Sequence, residues 1–406
     1  MKHLVILAAL LPEPNSTAAG QRMLQLIALF KEEGYKISFL YTAVRSTYSE
    51  DLEAIGIQEI QVKINDSKFD DLLKELNPSV VLFDRFMLEE QFGWRVHKHA
   101  PSALTILDTE DLHFLRKARE KAFLMREEMK DADLQSEVFF REMASILRCD
   151  LSLVISEFEY KLLLDKFQVN PSLLYYLPLF AVKESMTPTF QERQDFISIG
   201  NFLHPPNYHT VVELKRIWPK IKKEIPKANL LVYGAYPTDK VKSLHNESEG
   251  FLLKGRAENL KDVLSKARVL LAPIPYGAGL KGKLLDAMRY GLPSVTSSIG
   301  AEGIQKGGAW NGFITDSPKE FVSKATLLYS SDAIWNDARK MGNQILESRF
   351  KKEAFKPSFS RLLSAYVENL HSRREKNYLA RLLQHHTLQS TKYLSRWIEE
   401  KNKHSQ

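Results

Sequence analysis

Residues 273–288 read PIPYGAGLKGKLLDAM and contain the densest structural signal in the chain. This stretch follows an apolar run at residues 269–272, which predicts a short buried strand, and its second half has the apolar spacing of a helix. Gly277, Gly279 and Gly282 permit a tight turn between the two elements and a close approach of a ligand to the backbone. A strand, a glycine-rich turn and a helix in succession form the unit from which parallel α/β sheets are built.

The same alternation of short apolar runs and helix-forming segments extends over the chain. It predicts strands at residues 4–9, 36–41, 59–64, 80–84, 104–108, 151–155 and 173–177, and then at 196–200, 230–233, 251–253, 269–272, 294–296 and 313–315. We therefore predict an α/β protein with two facing Rossmann-like domains, each with a parallel sheet, and a cleft between them.

The alternation lapses between residues 179 and 194, which marks a linker. The predicted domains are an N-terminal Rossmann-like domain at residues 1–180 and a second at 195–350, with C-terminal helices at 351–406 that return to the first domain. Two domains suit a chain of 406 residues, which is too long for one ordinary core. Residues 110–147 are charged and helix-favouring, and they predict one or two surface helices inserted into the first domain.

The N-terminus has two interpretations. Lys2 and His3, followed by an apolar run and by Ala18 and Ala19, fit a short signal peptide. The apolar helix face that continues beyond this point and ends at Gly34 instead favours a buried strand followed by a helix. The strand is the preferred interpretation.

Composition limits the function classes. Cys149 is the single cysteine, so an intramolecular disulfide and a cysteine-based zinc site are excluded and a reducing, cytoplasmic location is favoured. The net charge of +7 suits anionic small molecules or an acidic lipid surface, and no nucleic-acid-binding signature accompanies it. No apolar stretch approaches the roughly 20 residues of a membrane-spanning helix.

Residues 373–403 are basic and helix-favouring, with four leucines at helical spacing: Leu379, Leu382, Leu383 and Leu388. In one interpretation this leucine stripe packs on the domains. In the other, the basic helices make peripheral contact with the inner face of the membrane.

The glycine-rich stretch predicts an anion site. Free N–H groups at the start of the helix suit a diphosphate, and Lys281 and Lys283 add positive charge. Asp286, near the second turn, is placed to accept hydrogen bonds from ribose hydroxyls. The alternative is a glycine turn with two solvated lysines. Loops at residues 200–207, 255–260 and 298–303 follow other strands of the same domain, so we expect all four loops at one edge of the sheet.

The order and spelling of residues 200–207 and 276–303 resemble glycosyltransferase family 4, whose members have the two-Rossmann fold called GT-B. The resemblance also covers the opening strand with Ala19 and Gly20, and residues 151–177. It implies a retaining transfer of sugar from a nucleotide-diphosphate sugar, without a required metal or cofactor, to a saccharide or lipid-linked acceptor that the N-terminal domain binds. The nucleobase, the sugar and the acceptor stay open.

The resemblance also implies roles for single residues. Gly279, Lys281 and Gly282 would lie against the diphosphate, with Asp286 at the ribose and Arg256 near the nucleobase. The full set predicted to bind the donor is Gly20, Asn201, Arg256, Leu260, Gly277, Gly279, Lys281, Gly282, Lys283 and Asp286. Lys281 and the N–H groups near Gly282 would stabilise the charge of the leaving diphosphate.

The family often places a histidine where this chain has Leu107, and an arginine and a lysine where it has Asn201 and Pro206. Candidate replacements for the histidine follow directly: Asp108, Glu110, Asp111 and His113. They predict a general base or a ligand for sugar hydroxyls, and the predicted catalytic set is Lys281, Asp108 and His113. We expect at least one of the four replacement candidates to face Gly277 and Gly279 across the cleft.

Alternatives remain for this group and for the whole chain. The same residues also suit a helix N-terminus capped by Asp108 or Thr109. His204 is interpreted as a loop residue near the phosphates. Because of the missing family residues, a catalytically weak nucleotide-binding partner subunit stays open, as does an isomerase or phosphorylase of the same fold.

Overall fold

The computed structural model describes residues 2–403, and its first half forms a seven-stranded sheet. All strand pairs are parallel, in the order β3-β2-β1-β4-β5-β6-β7. The strands are β1 (His3–Ala8), β2 (Lys36–Tyr41), β3 (Gln58–Gln61), β4 (Val80–Asp84), β5 (Leu104–Asp108), β6 (Leu151–Val154) and β7 (Leu174–Tyr176). The helices are α1 (Ala18–Glu32), α2 (Lys68–Leu76), α3 (Phe86–His99), α4 (His113–Met125), α5 (Glu137–Arg148) and α6 (Glu157–Lys161). Short helical turns occupy Glu53–Ile55, Asp131–Leu134, Leu162–Lys166 and Pro171–Leu173.

The second half forms a six-stranded parallel sheet in the order β10-β9-β8-β11-β12-β13. Its strands are β8 (Gln194–Ile199), β9 (Leu230–Tyr233), β10 (Phe251–Gly255), β11 (Ala267–Ala272), β12 (Ser294–Thr296) and β13 (Gly312–Ile314). Its helices are α7 (Pro205–Glu224), α8 (Asp239–Lys242), α9 (Leu260–Leu264), α10 (Gly282–Arg289), α11 (Ser298–Ala301), α12 (Pro318–Ser330) and α13 (Asp332–Arg349).

The two sheets confirm the predicted α/β fold class. In each sheet the first six strands follow the order third, second, first, fourth, fifth and sixth, which is the doubly wound order of Rossmann-like folds. Every predicted strand is present, with bounds shifted by no more than three residues. The two helices expected within residues 110–147 are α4 and α5.

Both faces of each sheet are covered by apolar layers, which explains why the strands read as nearly continuous apolar runs. In β1, Leu4 and Ile6 join the layer on one face, whereas Val5 and Leu7 join the layer on the other. This strand pairs with β2 and β4 inside the sheet, so the strand interpretation of residues 4–9 is confirmed.

Three C-terminal helices, α14 (Lys352–Glu368), α15 (Leu370–Lys376) and α16 (Tyr378–Lys403), lie against the first half of the chain. Phe359 of α14 packs edge-to-face on Phe30 of α1, with ring centroids 5.6 Å apart. Arg374 of α15 donates to both carboxylate oxygens of Asp150, at 2.8 and 2.6 Å. The domain bounds themselves stay a prediction.

The prediction that a leucine stripe of α16 packs on the domains is wrong for Leu379 and Leu382, whereas Leu383 is half-buried. Leu379 and Leu382 are exposed, whereas Ala380 and Ser395 are buried. Arg95 of α3 donates to the Ser395 hydroxyl (3.2 Å), so a polar contact helps to hold α16 against the first half of the chain. The side chain of Leu388 lies outside the described residues. Within residues 2–403, no helix is both long and apolar enough to span a bilayer.

Candidate functional site

A cavity of about 670 Å³ lies between the carboxyl ends of the two sheets, and loops from both halves of the chain line it. Parallel strands bring their carboxyl ends to one edge, which is why these loops meet. Of the predicted catalytic residues, Lys281 and His113 line the cavity. So does the whole set predicted to bind the donor: Gly20, Asn201, Arg256, Leu260, Gly277, Gly279, Lys281, Gly282, Lys283 and Asp286.

The N-termini of two helices meet in this cavity, α1 from the first half and α10 from the second. A β-carbon built on Gly282 would lie 2.6 Å from Cβ of Ala18, so the first residues of the two helices are in contact. Thr17 caps α1 by accepting the N–H of Gly20 at 2.9 Å. Because the positive ends of both helix dipoles converge, an anion between them is favoured.

Two lysines stand beside these helix ends, Lys281 buried and Lys283 half-buried. Lys281 is 8% exposed; its Nζ donates to the carbonyl oxygen of Gly279 at 3.0 Å and lies 4.0 Å from Oε1 of Glu302. Lys283 donates to Oδ1 of Asn207 at 2.7 Å. Burial lowers the pKa of Lys281, against the charge of Glu302, and burial lowers the pKa of Lys283 to about 8. The interpretation as a solvated lysine is therefore wrong for Lys281, whereas Lys283 is half-buried.

Asp286 and Arg256 also face the first half of the chain across the cavity. Burial raises the pKa of Asp286 to about 6, against the charge of Arg289 and a hydrogen bond from Gln21 of α1. The guanidinium of Arg256 lies 4.3 Å from the ring centroid of Tyr48. These groups give the cavity an acceptor of hydrogen bonds and a planar cation in addition to the two helix ends.

The glycine-rich loop after β11 touches the loop after β5. Gly279 has a φ of +64°, and a β-carbon there would lie 2.8 Å from Cβ of Asp111. The prediction that an acidic residue of this group faces the glycines is therefore confirmed for Asp111. Although burial raises the pKa of Asp111, the charges of Arg116 and His113 lower it below its usual value. Asp111 is thus a fixed carboxylate at the meeting point of the two loops.

Asp108 does not have the predicted catalytic position. It is completely buried behind the cavity wall, where its Oδ1 lies 3.1 Å from Nη2 of Arg22 and its Oδ2 lies 3.4 Å from Nε. Arg22 also donates to the carbonyl oxygen of Pro178 at 3.0 Å. Because its carboxylate is enclosed in this ion pair, Asp108 holds α1 and β5 together and does not face a substrate.

His113 is the first residue of α4, and its ring lines the cavity. Its Nδ1 lies 3.1 Å from the carbonyl oxygen of Asp111. Glu142 of α5 accepts the N–H groups of His113 (3.1 Å) and Phe114 (2.9 Å). The N-cap residue is Leu112, and Glu142 of the neighbouring helix accepts the free N–H groups; the prediction of Asp108 or Thr109 as the cap is therefore wrong.

Sequence reasoning missed a carboxyl group at the end of β4 and underrated Glu110. Asp84 Oδ1 and Glu110 Oε1 are buried and have no hydrogen-bond partner among the described residues. Burial raises the pKa of Asp84, and burial together with the charge of Asp108 raises the pKa of Glu110 well above its usual value. Both line the cavity beside Arg85, which has a φ of +70°. The signal was present, because Asp84 ends a buried strand and Arg85 directly follows it.

Two other contacts join the halves and were also missed. Arg119 of α4 donates to both carboxylate oxygens of Glu302 at 2.7 Å and to the carbonyl oxygen of Gly277 at 2.7 Å. Glu159 accepts the N–H of Gly279 at 2.7 Å. Ser156 and Glu159 have the spacing of a capping box, so the sequence alone indicates a capping role for Glu159 rather than this contact.

His204 lies in the loop before α7 and lines the cavity, as expected. Burial and the charge of Arg116 lower its pKa to about 4, so its ring is neutral at pH 7. Among residues 2–403, no three His, Cys, Asp or Glu side chains are grouped closely enough to hold a metal ion.

Comparison with known proteins gives one family match and several similar folds. Residues 193–331 match the family model described as Glycosyl transferases group 1. The fold is similar to that of sucrose-phosphate synthase from Thermosynechococcus elongatus, with a TM-score of 0.67, 13% identity and coverage of 90% of this chain and 99% of that chain. No curated protein sequence matches the chain.

Two further solved structures are similar. One is a mutant of S. aureus TarM in complex with fondaparinux, α-GlcNAc-glycerol and UDP, with a TM-score of 0.69, 11% identity and coverage of 89% of this chain and 99% of that chain. The other is Anabaena HepE in complex with UDP and glucose, with a TM-score of 0.66, 12% identity and coverage of 89% and 99%. The chain is a glycosyltransferase with the GT-B fold, and its residues 193–331 carry the domain of the Glycosyl transferases group 1 family.

Proposed function

We propose that this glycosyltransferase moves a sugar from a nucleoside diphosphate to a saccharide or lipid-linked acceptor, with retention of the anomeric configuration. The observation that supports the donor site is the meeting of α1 and α10 at their N-termini, beside Lys281 and Lys283. A diphosphate placed there gains from both helix ends and from two charged side chains in a site of low dielectric.

In the proposed step, the bond between the anomeric carbon and the diphosphate oxygen breaks, and its electron pair leaves with the diphosphate. The acceptor oxygen forms its bond to the anomeric carbon on the same face, and its proton passes to the leaving diphosphate. Lys281, Lys283 and the N–H groups of α10 stabilise the charge that develops on the leaving group. The walls of the cavity, which both halves of the chain supply, limit competition from water.

The donor binds, in this proposal, along the carboxyl edge of the second sheet. Asp286 accepts hydrogen bonds from the ribose hydroxyls, and Arg256 with Leu260 lies beside the nucleobase. UDP is the first nucleotide to test, because TarM and HepE are similar in fold and their structures hold UDP. Asp111 and His113, on the opposite wall, face the transferred sugar and the acceptor.

Thermal unfolding with UDP, GDP, ADP and TDP tests the donor. A nucleotide at about 100 times its dissociation constant adds roughly 2.7 kcal/mol of stability, so a specific nucleotide should raise the melting temperature while the other three do so less. Failure of all four to stabilise the protein counts against the donor site. With the matching sugar nucleotide, the anomeric proton coupling of the product, measured by NMR, decides between retention and inversion.

A lipid-linked acceptor is supported by the outer side of α16. Four exposed side chains at helical spacing share this side: Leu379, Leu382, Tyr393 and Trp397. Trp397 is 61% exposed, and Arg381, Lys392 and Arg396 flank the row. Aromatic and leucine side chains bordered by basic residues suit an acidic lipid surface.

Vesicle co-sedimentation tests this membrane contact. Wild-type protein should sediment with vesicles of phosphatidylcholine and phosphatidylglycerol, and Trp397→Ala should lower the bound fraction. Leu327→Ala, which changes an exposed apolar residue on α12, is the control and should bind as the wild type does. Equal binding by the Trp397→Ala variant would exclude α16 as the contact.

A further inference from the structure

Glu159 joins the two loops that meet across the cavity. One carboxylate oxygen, Oε1, accepts the N–H of Gly279 at 2.7 Å and the N–H of Leu112 at 3.1 Å. Gly279 belongs to the glycine-rich loop of the second half, and Leu112 ends the loop after β5 of the first half. Glu159 itself comes from a third element, α6. A single oxygen atom therefore connects two loops that are far apart in the chain.

The site of Glu159 is closed to solvent. The side chain is completely buried, behind the wall of the cavity that Gly279 lines. Its other oxygen, Oε2, has no hydrogen-bond partner among residues 2–403. Burying a carboxyl group with an oxygen that lacks a hydrogen-bond partner costs folding free energy. The hydrogen bonds from Gly279 and Leu112 must therefore offset a large desolvation penalty.

Charged groups surround Glu159 on the elements packed against it. Asp111 is negative and stands on the loop after β5, whereas Lys281 is positive and stands on the glycine-rich loop. Lys281 in turn faces Glu302 and Arg119. Burial and the charge of Asp111 raise the pKa of Glu159 to about 8, against the two backbone N–H donors. The two N–H donors limit this rise, because their hydrogen bonds to an ionised carboxylate are stronger than those to the neutral acid.

We propose that Glu159 is a positioning residue, which clamps the glycine-rich loop at Gly279 to the loop after β5 at Leu112. The clamp keeps Gly279 against Asp111, where the two loops approach so closely that only a glycine fits. In so far as the glycine-rich loop binds the donor, this inference rests on the proposed function. The donor then meets a loop that is already in its binding conformation, which lowers the ordering cost of binding.

Hydrogen–deuterium exchange of the protein without ligand tests the clamp. Glu159→Met keeps the length of the side chain and removes the acceptor, so exchange at residues 277–283 and 109–114 should rise together by about tenfold or more. At pH 7, where the wild-type carboxyl group is largely protonated, Glu159→Gln keeps a carbonyl oxygen and should retain most of the protection. Glu157→Gln is the matched control, because Glu157 lies on the same helix but pairs with Lys161 and Arg349 and should leave both segments unchanged.

The outcomes that overturn the clamp are unchanged exchange in either segment of Glu159→Met, or equal exchange in the Met and Gln variants. If the Met variant does not fold, the Gln variant decides at pH 9, where the wild-type carboxylate is ionised. Loss of the charge should then raise exchange in the two segments by roughly fivefold, since bonds to charged groups are stronger than neutral ones. No rise in either segment contradicts the proposal.

Titration with UDP separates the clamp from the donor site. The dissociation constant for UDP should rise about tenfold or more in Glu159→Met and less than about threefold in Glu159→Gln. If the wild type does not bind UDP, the choice of donor nucleotide fails, while the exchange result still decides the clamp. If UDP binds all variants equally, the clamp does not serve donor binding and the inference is overturned.

Discussion

Gly282 and Ala18 touch across the cleft, at the first residues of α10 and α1. A β-carbon on Gly282 would approach Cβ of Ala18 to 2.6 Å, closer than carbon atoms pack. The second nearest atom is the Cα of Ala18, at 3.7 Å. The absence of a side chain at residue 282 therefore sets how closely the two helix ends approach, and with it the size of the anion site.

Substitution Gly282→Ala should separate these helix ends and weaken nucleotide binding. Loss of part of the contact to one helix terminus, with its backbone donors, is expected to raise the dissociation constant for UDP about tenfold. Isothermal titration calorimetry measures it. The double variant Gly282→Ala/Ala18→Gly removes the opposing methyl group and should recover most of the affinity. If the double variant binds no better than the single one, contact between these two residues does not control the site.

A second prediction concerns Asp108, whose carboxylate pairs with Arg22 inside the first half of the chain. Asp108→Ala leaves a buried guanidinium without its partner, so the free energy of unfolding should fall by about 3–5 kcal/mol. Urea denaturation measures the loss. Glu90→Ala, which breaks the exposed pair with Arg141, is the control and should cost about 0–1 kcal/mol. Equal losses would contradict the buried, structural role of Asp108.

The contacts of Asp108 and Glu159 show which parts of the structure the sequence could not predict. The strands and the glycine-rich loop were predictable because their signals are local: apolar runs, and glycines between a strand and a helix. The partners of single carboxylates are not local. Arg22 lies 86 residues from Asp108, and Gly279 lies 120 residues from Glu159, so no spacing in the sequence indicates either contact.

Nucleotide affinity should depend on pH through Lys283. Burial lowers the pKa of its ammonium group to about 8, so the group is charged below that pH and loses its proton as the pH rises above it. A diphosphate favours the charged form; affinity should therefore be highest below pH 8 and fall, by up to about tenfold per pH unit, as the pH rises through and above 8. In Lys283→Arg the charge persists, and the decline should become shallower.

Calorimetric titration at pH 6.5, 7.5, 8.5 and 9.5 measures this dependence. Any decline that remains in Lys283→Arg belongs to other groups of the cavity, among which burial raises the pKa of Glu159 to about 8 as well. The double variant Lys283→Arg/Glu159→Gln distinguishes the contribution of Lys283 to the pH dependence from that of Glu159. Identical pH profiles for the wild type and Lys283→Arg would remove Lys283 from the binding site.

The last prediction compares Lys281 with Asp286, two residues of one loop and helix that should act on different parts of the nucleotide. Lys281→Ala removes a charge-assisted contact worth roughly 1.5–3 kcal/mol, so affinity for both UDP and pyrophosphate should fall about tenfold to a hundredfold. Asp286→Asn should weaken the binding of UDP and leave the binding of pyrophosphate nearly unchanged, because the carboxylate of Asp286 accepts hydrogen bonds from the ribose. Lys223→Ala, an exposed lysine on α7, is the control and should stay within about 0.5 kcal/mol of the wild type. Loss of pyrophosphate binding in Asp286→Asn would mean that this residue belongs to the diphosphate site rather than the ribose site. Unchanged binding in Lys281→Ala would mean that the donor diphosphate does not bind at the glycine-rich loop.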